Sequence, residues 1–271
     1  MNVDTDVKTE FIGAESLLYK VDHRPWLPPQ GPWVMTQTWN DLAFFHYAID
    51  PPVLRALVPP SLTLELYQGV AWLTVLPFWM SNIRPPGIPA VPVLSTMPEL
   101  NVRTYVTYQG KPGVFFFSLD AGNLSAVWAA RLFYRLPYWH AAMKVENKGA
   151  KSNDGSSVPI HYSSRRIHGP SALDGAAEFR GRYQPYGIAR PARRSSIDHF
   201  LVERYCLYAV TNKHIYRGDV HHLPYVLERC HFEIEKNTMT EPIGLRLPET
   251  PDLAHYSAGL KVLIWPPEKL K

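Results

Sequence analysis

MPELNVRTYVTYQGKPGVFFFSLDAGNLSAVWAARLFYRLPYWH, residues 97–140, is the stretch that decides the fold class. Glu99 to Tyr108 alternates, with Glu99, Asn101, Arg103, Tyr105 and Thr107 on one face of a strand and Leu100, Val102, Thr104, Val106 and Tyr108 on the other. Val114 to Asp120 is apolar until Ser118, the pattern of a strand covered on both faces. Gln109-Gly-Lys-Pro-Gly113 between them reads as a hairpin connection. Leu124 to Tyr134 reads as a helix, and Trp139 to Val145 as the next strand. Glu99 and Arg103 share a strand face. If that face is enclosed, they are either paired with buried partners or they line a ligand cavity, because an unpaired buried charge is costly.

The other segments extend the same pattern. Pro makes up 26 of 271 residues, roughly twice average usage, and 13% of the chain is aromatic. Both favour many short strands over long helices. Strands are expected over Thr36–Ile49, Leu62–Leu66, Val70–Met80, Val158–Ile167, Ala176–Tyr183, Tyr225–Glu235 and Ala254–Trp265. A hairpin is expected through Thr211-Asn212. Asp50 before Pro51-Pro52 and Ser195-Ser196 before Ile197 read as helix caps. Residues 81–97, 185–194 and the last six residues read as loop, basic connection and tail. Residues 1–35 form an N-terminal extension, with four prolines between His23 and Trp33 and two tryptophans to pin it to the body. The expectation is a single mainly β domain over 36–266, its strands closed or stacked as nested antiparallel sheets.

Composition narrows the function. A net charge of +4 without a long basic stripe argues against nucleic acid as partner. No run of eighteen apolar residues exists, so no membrane span is expected, and no signal peptide is evident. Cys206 and Cys230 read as reduced core residues, which suits a cytoplasmic protein. Metal is not expected: His221 and His222 point to opposite faces of a strand, and His161, His168 and His199 are scattered. No cofactor fingerprint or nucleophile elbow appears. Ser118 and Asp120 two apart on one strand do not make a triad. Lys111 sits in a turn and Lys144 just beyond the centre, so neither reads as a desolvated amine nucleophile. What remains is a polar set in apolar surroundings: His46, Glu99, Asn101, Arg103, Tyr105, Asp120, Arg131, Tyr138 and His140. It reads either as a fold-fixing network or as a pocket lining.

Several blocks in order resemble the YqjF-like family of uncharacterised proteins, DUF2071. They are Trp39-Asn-Asp-Leu-Ala-Phe-Phe-His46, Leu54-Arg-Ala-Leu-Val-Pro-Pro-Ser-Leu62, Leu76-Pro-Phe-Trp-Met80, Glu99-Leu-Asn-Val-Arg-Thr-Tyr-Val106, Pro112-Gly-Val-Phe-Phe-Phe-Ser-Leu-Asp120 and Phe200-Leu-Val-Glu-Arg-Tyr-Cys-Leu-Tyr208. More distantly, the chain is similar to acetoacetate decarboxylase. Asp50-Pro-Pro-Val-Leu-Arg-Ala-Leu-Val-Pro59 matches one decarboxylase segment, and Ala130-Arg131 with Pro137-Tyr138-Trp139 falls at the spacing of its active-site helix and lysine pair. The resemblance implies a β-cone or barrel with a flanking sheet and an enclosed cavity. Tyr138 and Trp139 stand where the lysines would be, so imine chemistry is not expected.

The combined expectation is a cavity for a small organic acid or carbonyl compound. Arg103 and Arg131 would hold the anion, Glu99 and Asp120 would orient them, and Asn101, Tyr105, His46 and Tyr138 would complete the lining. Two alternatives stand beside it. One is a lyase- or hydrolase-type enzyme using Tyr138 or His140 as general acid/base. The other is a structural or interaction protein with a filled core. Ligand identity and oligomeric state, a homo-oligomer included, stay open.

Overall fold

The structure is a computed structural model and describes residues 13–90, 95–152, 155–167 and 177–270. The central hairpin pairs β4 (Met97–Tyr108) with β5 (Lys111–Ala121). Its turn is shorter than the sequence suggests: Gln109 and Gly110 alone make it, both at positive φ, as tight two-residue hairpins require. The register shifts between Val102 and Arg103, leaving Phe117 as the extra residue of a bulge on β5. Both faces of β4 are buried from Glu99 to Val106.

One 13-stranded sheet accounts for this double burial. Besides the hairpin it contains β1 (Met35–Ile49), β2 (Thr63–Leu64), β3 (Ala71–Arg84), β6 (Tyr138–Glu146), β7 (Ile160–Arg166), β8 (Glu178–Pro191), β9 (Cys206–Thr211), β10 (His214–His221), β11 (Val226–Asn237), β12 (Leu253–Ile264) and β13 (Glu268–Lys269). The strands β12-β1-β3-β4-β5 form a wall. From its ends β6, β7, β8 and β11 close one ring, and β9 and β10 close a second ring on the opposite face through the β10–β12 pairing. Strand alternation sends Leu42, Phe44, Leu76 and Phe78 into the second ring, and Ala43, Phe45, Leu73 and Val75 into the first. The result is a cone-like β ring rather than a clean barrel.

Short helices fill the connections: α1 (Ala14–Leu18), α2 (Pro51–Leu57), α3 (Leu124–Tyr134) and α4 (Ile197–Val202). Ser196 caps α4 by accepting from the His199 amide. Asp50 stands at the start of α2 but its side chain makes no capping bond. Residues 13–34 lie against the second ring, where Arg24 donates to the Val220 carbonyl (2.7 Å) and the Trp265 indole donates to the Gly31 carbonyl (2.6 Å).

Three expectations need correction. β3 continues to Arg84, beyond Met80. β8 runs on through Pro185 to Pro191, where the sequence reads as a connection. Pairing with β7 ends at Tyr183, so beyond it β8 has only β11 beside it and its prolines owe no hydrogen bond on the free side. The last six residues are not simply a tail, since Glu268 and Lys269 pair with Arg217 and Tyr216 as β13. His168, Ala176 and part of the 81–97 segment lie outside the described residues.

Candidate functional site

The second ring encloses a cavity of about 590 Å³. The face of β4 turned toward it carries Met97, Glu99, Asn101 and Arg103 into the lining. β3 contributes Leu76 and Phe78, and β5 contributes Val114, Phe116 and Leu119. β6 begins at Tyr138, directly beside Leu119 in the parallel β5–β6 pairing, and so delivers its phenol to the same space.

Glu99 accepts a hydrogen bond from the Tyr138 hydroxyl at 2.9 Å. On the far side of the wall, the Tyr162 hydroxyl donates to the Glu99 carbonyl (2.6 Å) and fixes the backbone there. Burial pushes the Glu99 carboxyl up to about 8, against the opposing hydrogen bond from Tyr138. Burial, reinforced by Glu99, holds the Tyr138 phenol well above its ordinary value. The two form a hydrogen-bonded carboxyl–phenol pair in which the carboxyl, not the phenol, is brought toward neutral pH.

Arg103 is 5% exposed and donates through Nη2 to the Leu201 carbonyl (3.2 Å). Its guanidinium lies 5.6 Å from the Phe44 ring centroid. Its Nε has no partner, nor has the Asn101 Oδ1 two residues along. Among the described residues no carboxylate pairs with it. Glu99 thus does not orient Arg103.

Arg204 is a charged lining residue that sequence reading missed. It follows α4, donates through Nε to the Phe200 carbonyl (2.8 Å) and pairs through Nη1 with Glu65 (2.5 Å). Its guanidinium lies 4.4 Å from the Phe200 ring and 5.0 Å from the Tyr105 ring. An arginine just past a helix end reads as a cation for the last carbonyls, which it is toward Phe200, so only the fold places it at the cavity.

The other expected residues lie elsewhere. Tyr105 is beneath the floor, its hydroxyl donating to the Leu201 carbonyl (2.8 Å) and bonded to Thr74 Oγ1 (2.6 Å). His46 is fully buried one step further back, with Nδ1 on Thr74 Oγ1 (2.8 Å), and burial holds its pKa well below the ordinary value. Asp120 faces the first ring and not the cavity: Arg166 grips it at 2.6 and 3.1 Å while stacking over Trp139. It orients neither Arg103 nor Arg131. Arg131 is exposed on α3, so it is not an anion holder in the cavity. It donates to the Tyr138 carbonyl (2.6 Å) and anchors the start of β6. His140 is not part of the lining. The described lining contains no lysine, and Lys111 lies over Trp26, 3.8 Å from Asp219. Among the described residues no cluster of metal ligands occurs.

The DUF2071 family model, described as an uncharacterised conserved protein, matches residues 36–261. The uncharacterised protein YqjF of Bacillus subtilis (strain 168) is 44% identical over 241 residues, covering 89% of this chain and 94% of that one. Among solved structures, the enduracididine biosynthesis enzyme MppR complexed with pyruvate aligns with a TM-score of 0.60 at 10% identity, over 92% of this chain and 93% of its own. An acetoacetate decarboxylase-like enzyme from Sphingomonas wittichii RW1 aligns at 0.56 and 15% identity, over 91% and 98%. Acetoacetate decarboxylase from Legionella pneumophila aligns at 0.53 and 14% identity, over 97% of both chains. At these identities the likeness is one of fold.

Proposed function

The chain belongs to the DUF2071 family, and we propose that its cavity binds a small organic acid through Arg103, without imine chemistry. The carrying observation is the state of Arg103. It is buried, has no acidic partner among the described residues, and leaves Nε unpaired at the wall of an apolar space. A charge in that position costs several kcal/mol unless an anion answers it. A carboxylate suits the fork of donors that a guanidinium presents. MppR, on the same fold, has been captured with pyruvate, an acid of this kind. The absence of lysine from the described lining argues against covalent capture of a carbonyl.

A second reading rests on the Tyr138–Glu99 hydrogen bond. A carboxyl group hydrogen-bonded to a phenol inside the cavity, its pKa raised toward neutral by burial, is equipped for general acid/base work on a bound carbonyl compound. In this reading Tyr138 holds the acid/base role foreseen for it, and its partner in the lining is Glu99, not His140. The filled-core alternative is disfavoured by the cavity and by the unpaired arginine.

Calorimetric titration with acetate, pyruvate and longer carboxylates separates these readings from the alternatives. Arg103→Met is expected to lose binding by 100-fold or more, on the order of 3 kcal/mol for a charged hydrogen-bonded pair. Arg182→Met, on an exposed arginine of β8 outside the cavity lining, is expected to bind as the wild type does. Equal behaviour of the two variants would overturn the assignment.

A further inference from the structure

Resting on that anion reading, we infer that the ligand is a monocarboxylate with a long apolar tail, its carboxylate against Arg103 at the closed end and its tail running along β4 to the mouth. The two ends of the cavity differ in character. Arg103, Val202 and Tyr225 make a buried end. Val34, Ile83, Pro266 and Pro267 make the other, half-buried or exposed. Between them Asn101, Glu99 and Met97 follow Arg103 along one face of β4 in steps of two. Six residues of strand span ~20 Å. A volume of about 590 Å³ is far more than a two- or three-carbon acid fills, so a ligand that packs it reaches well beyond the arginine.

Charge sets the number of carboxylates. Arg204 brings its own counter-ion in Glu65, so of the arginines in the described lining Arg103 is the unbalanced one. Chemistry of the wall sets the rest of the ligand. Leu76, Phe78, Val114, Phe116, Leu119 and Val220 build it. A two- or three-carbon acid would answer the arginine but leave these side chains with no partner atoms across the gap. Glu99, midway along the space, adds no negative charge there while it keeps its proton.

The test is titration of the full-length protein with sodium n-alkanoates from acetate to decanoate, below their aggregation concentrations. Each buried methylene is expected to tighten binding about fourfold, so octanoate should bind roughly 200-fold more tightly than butyrate. Ile83→Trp, at the mouth, should lower the chain length at which the gain stops and leave butyrate unaffected. Arg103→Met should abolish the series and Arg103→Lys should restore part of it. A flat series that still needs Arg103 would overturn the tail and leave the anion reading standing. A rising series indifferent to Arg103→Met would mark adsorption to apolar surface and overturn the inference. No Arg103-dependent binding of any member would overturn both.

Discussion

Glu99 and Arg103 share one face of β4 yet do not neutralise each other, because four residues of strand hold their Cα atoms ~13 Å apart. Each is left to settle its burial separately. Arg103 cannot shed its charge, and among the described residues no carboxylate stands beside it. Glu99 can keep its proton, and burial pushes it up to about 8 from an ordinary value of 4.5. Between those two values the folded chain holds a proton that the unfolded chain has lost. Glu99 therefore subtracts stability as pH rises across that window, and its cost is absent below it. Glu99→Gln keeps the acceptor for Tyr138 and removes the titration. Denaturant unfolding at pH 4.5, 6 and 8 should show the variant close to wild type at the lowest pH. At pH 6 it should be more stable by on the order of 2 kcal/mol, and at pH 8 by on the order of 4 kcal/mol. A variant less stable than wild type at pH 8 would mean that Glu99 is ionised and paired instead.

At the level of elements, most of the strand set was legible because its signals are local. Alternation in Glu99–Tyr108, the unbroken apolar run after Gly113 and the Ser196 cap each lie within a few residues. The continuation of β8 was not, because Pro185 and Pro191 argue against a strand until β7 is known to stop short of them. The site was half legible for a similar reason. Glu99, Asn101 and Arg103 follow from strand parity, and Tyr138 from its place in the decarboxylase-like Pro137-Tyr138-Trp139 segment. Asp120 was misassigned because the bulge at Phe117 and the partner Arg166 are tertiary facts. The seam between β1 and β12 depends on another such fact. Gly259 sits at φ +139°, and a Cβ there would lie 2.3 Å from the Trp39 carbonyl oxygen. The clash is with backbone, which cannot turn aside. Gly259→Ala should cost on the order of 3 kcal/mol and lower Tm by about 5–10 °C in a thermal melt. An unchanged Tm would show that the seam can open without penalty.

The whole molecule turns one wall to two interiors, and its two cysteines report on them separately. Cys206 lines the cavity of the second ring, while Cys230 packs in the core of the first. Burial pushes both thiols up to about 12, so neither starts with an advantage in reactivity. Pro266 and Pro267 line the mouth of the cavity, and the chain beyond them is held by the β13–β10 pairing and by an ion pair between Arg217 and Glu268. That ion pair is largely solvated on the Glu268 side and contributes little. β10 also keeps its pairing to β9 and β12 without β13. Deleting residues 266–271 should therefore open the mouth without opening either ring. Labelling with a small methanethiosulfonate, followed by peptide mass mapping, should show Cys206 reacting about tenfold faster in the truncated chain and Cys230 at its former rate. A carboxylate bound at Arg103 should slow Cys206 again. Were both thiols to accelerate together, the C-terminal segment would be a support of the whole sheet, and the mouth of the cavity would have to lie elsewhere.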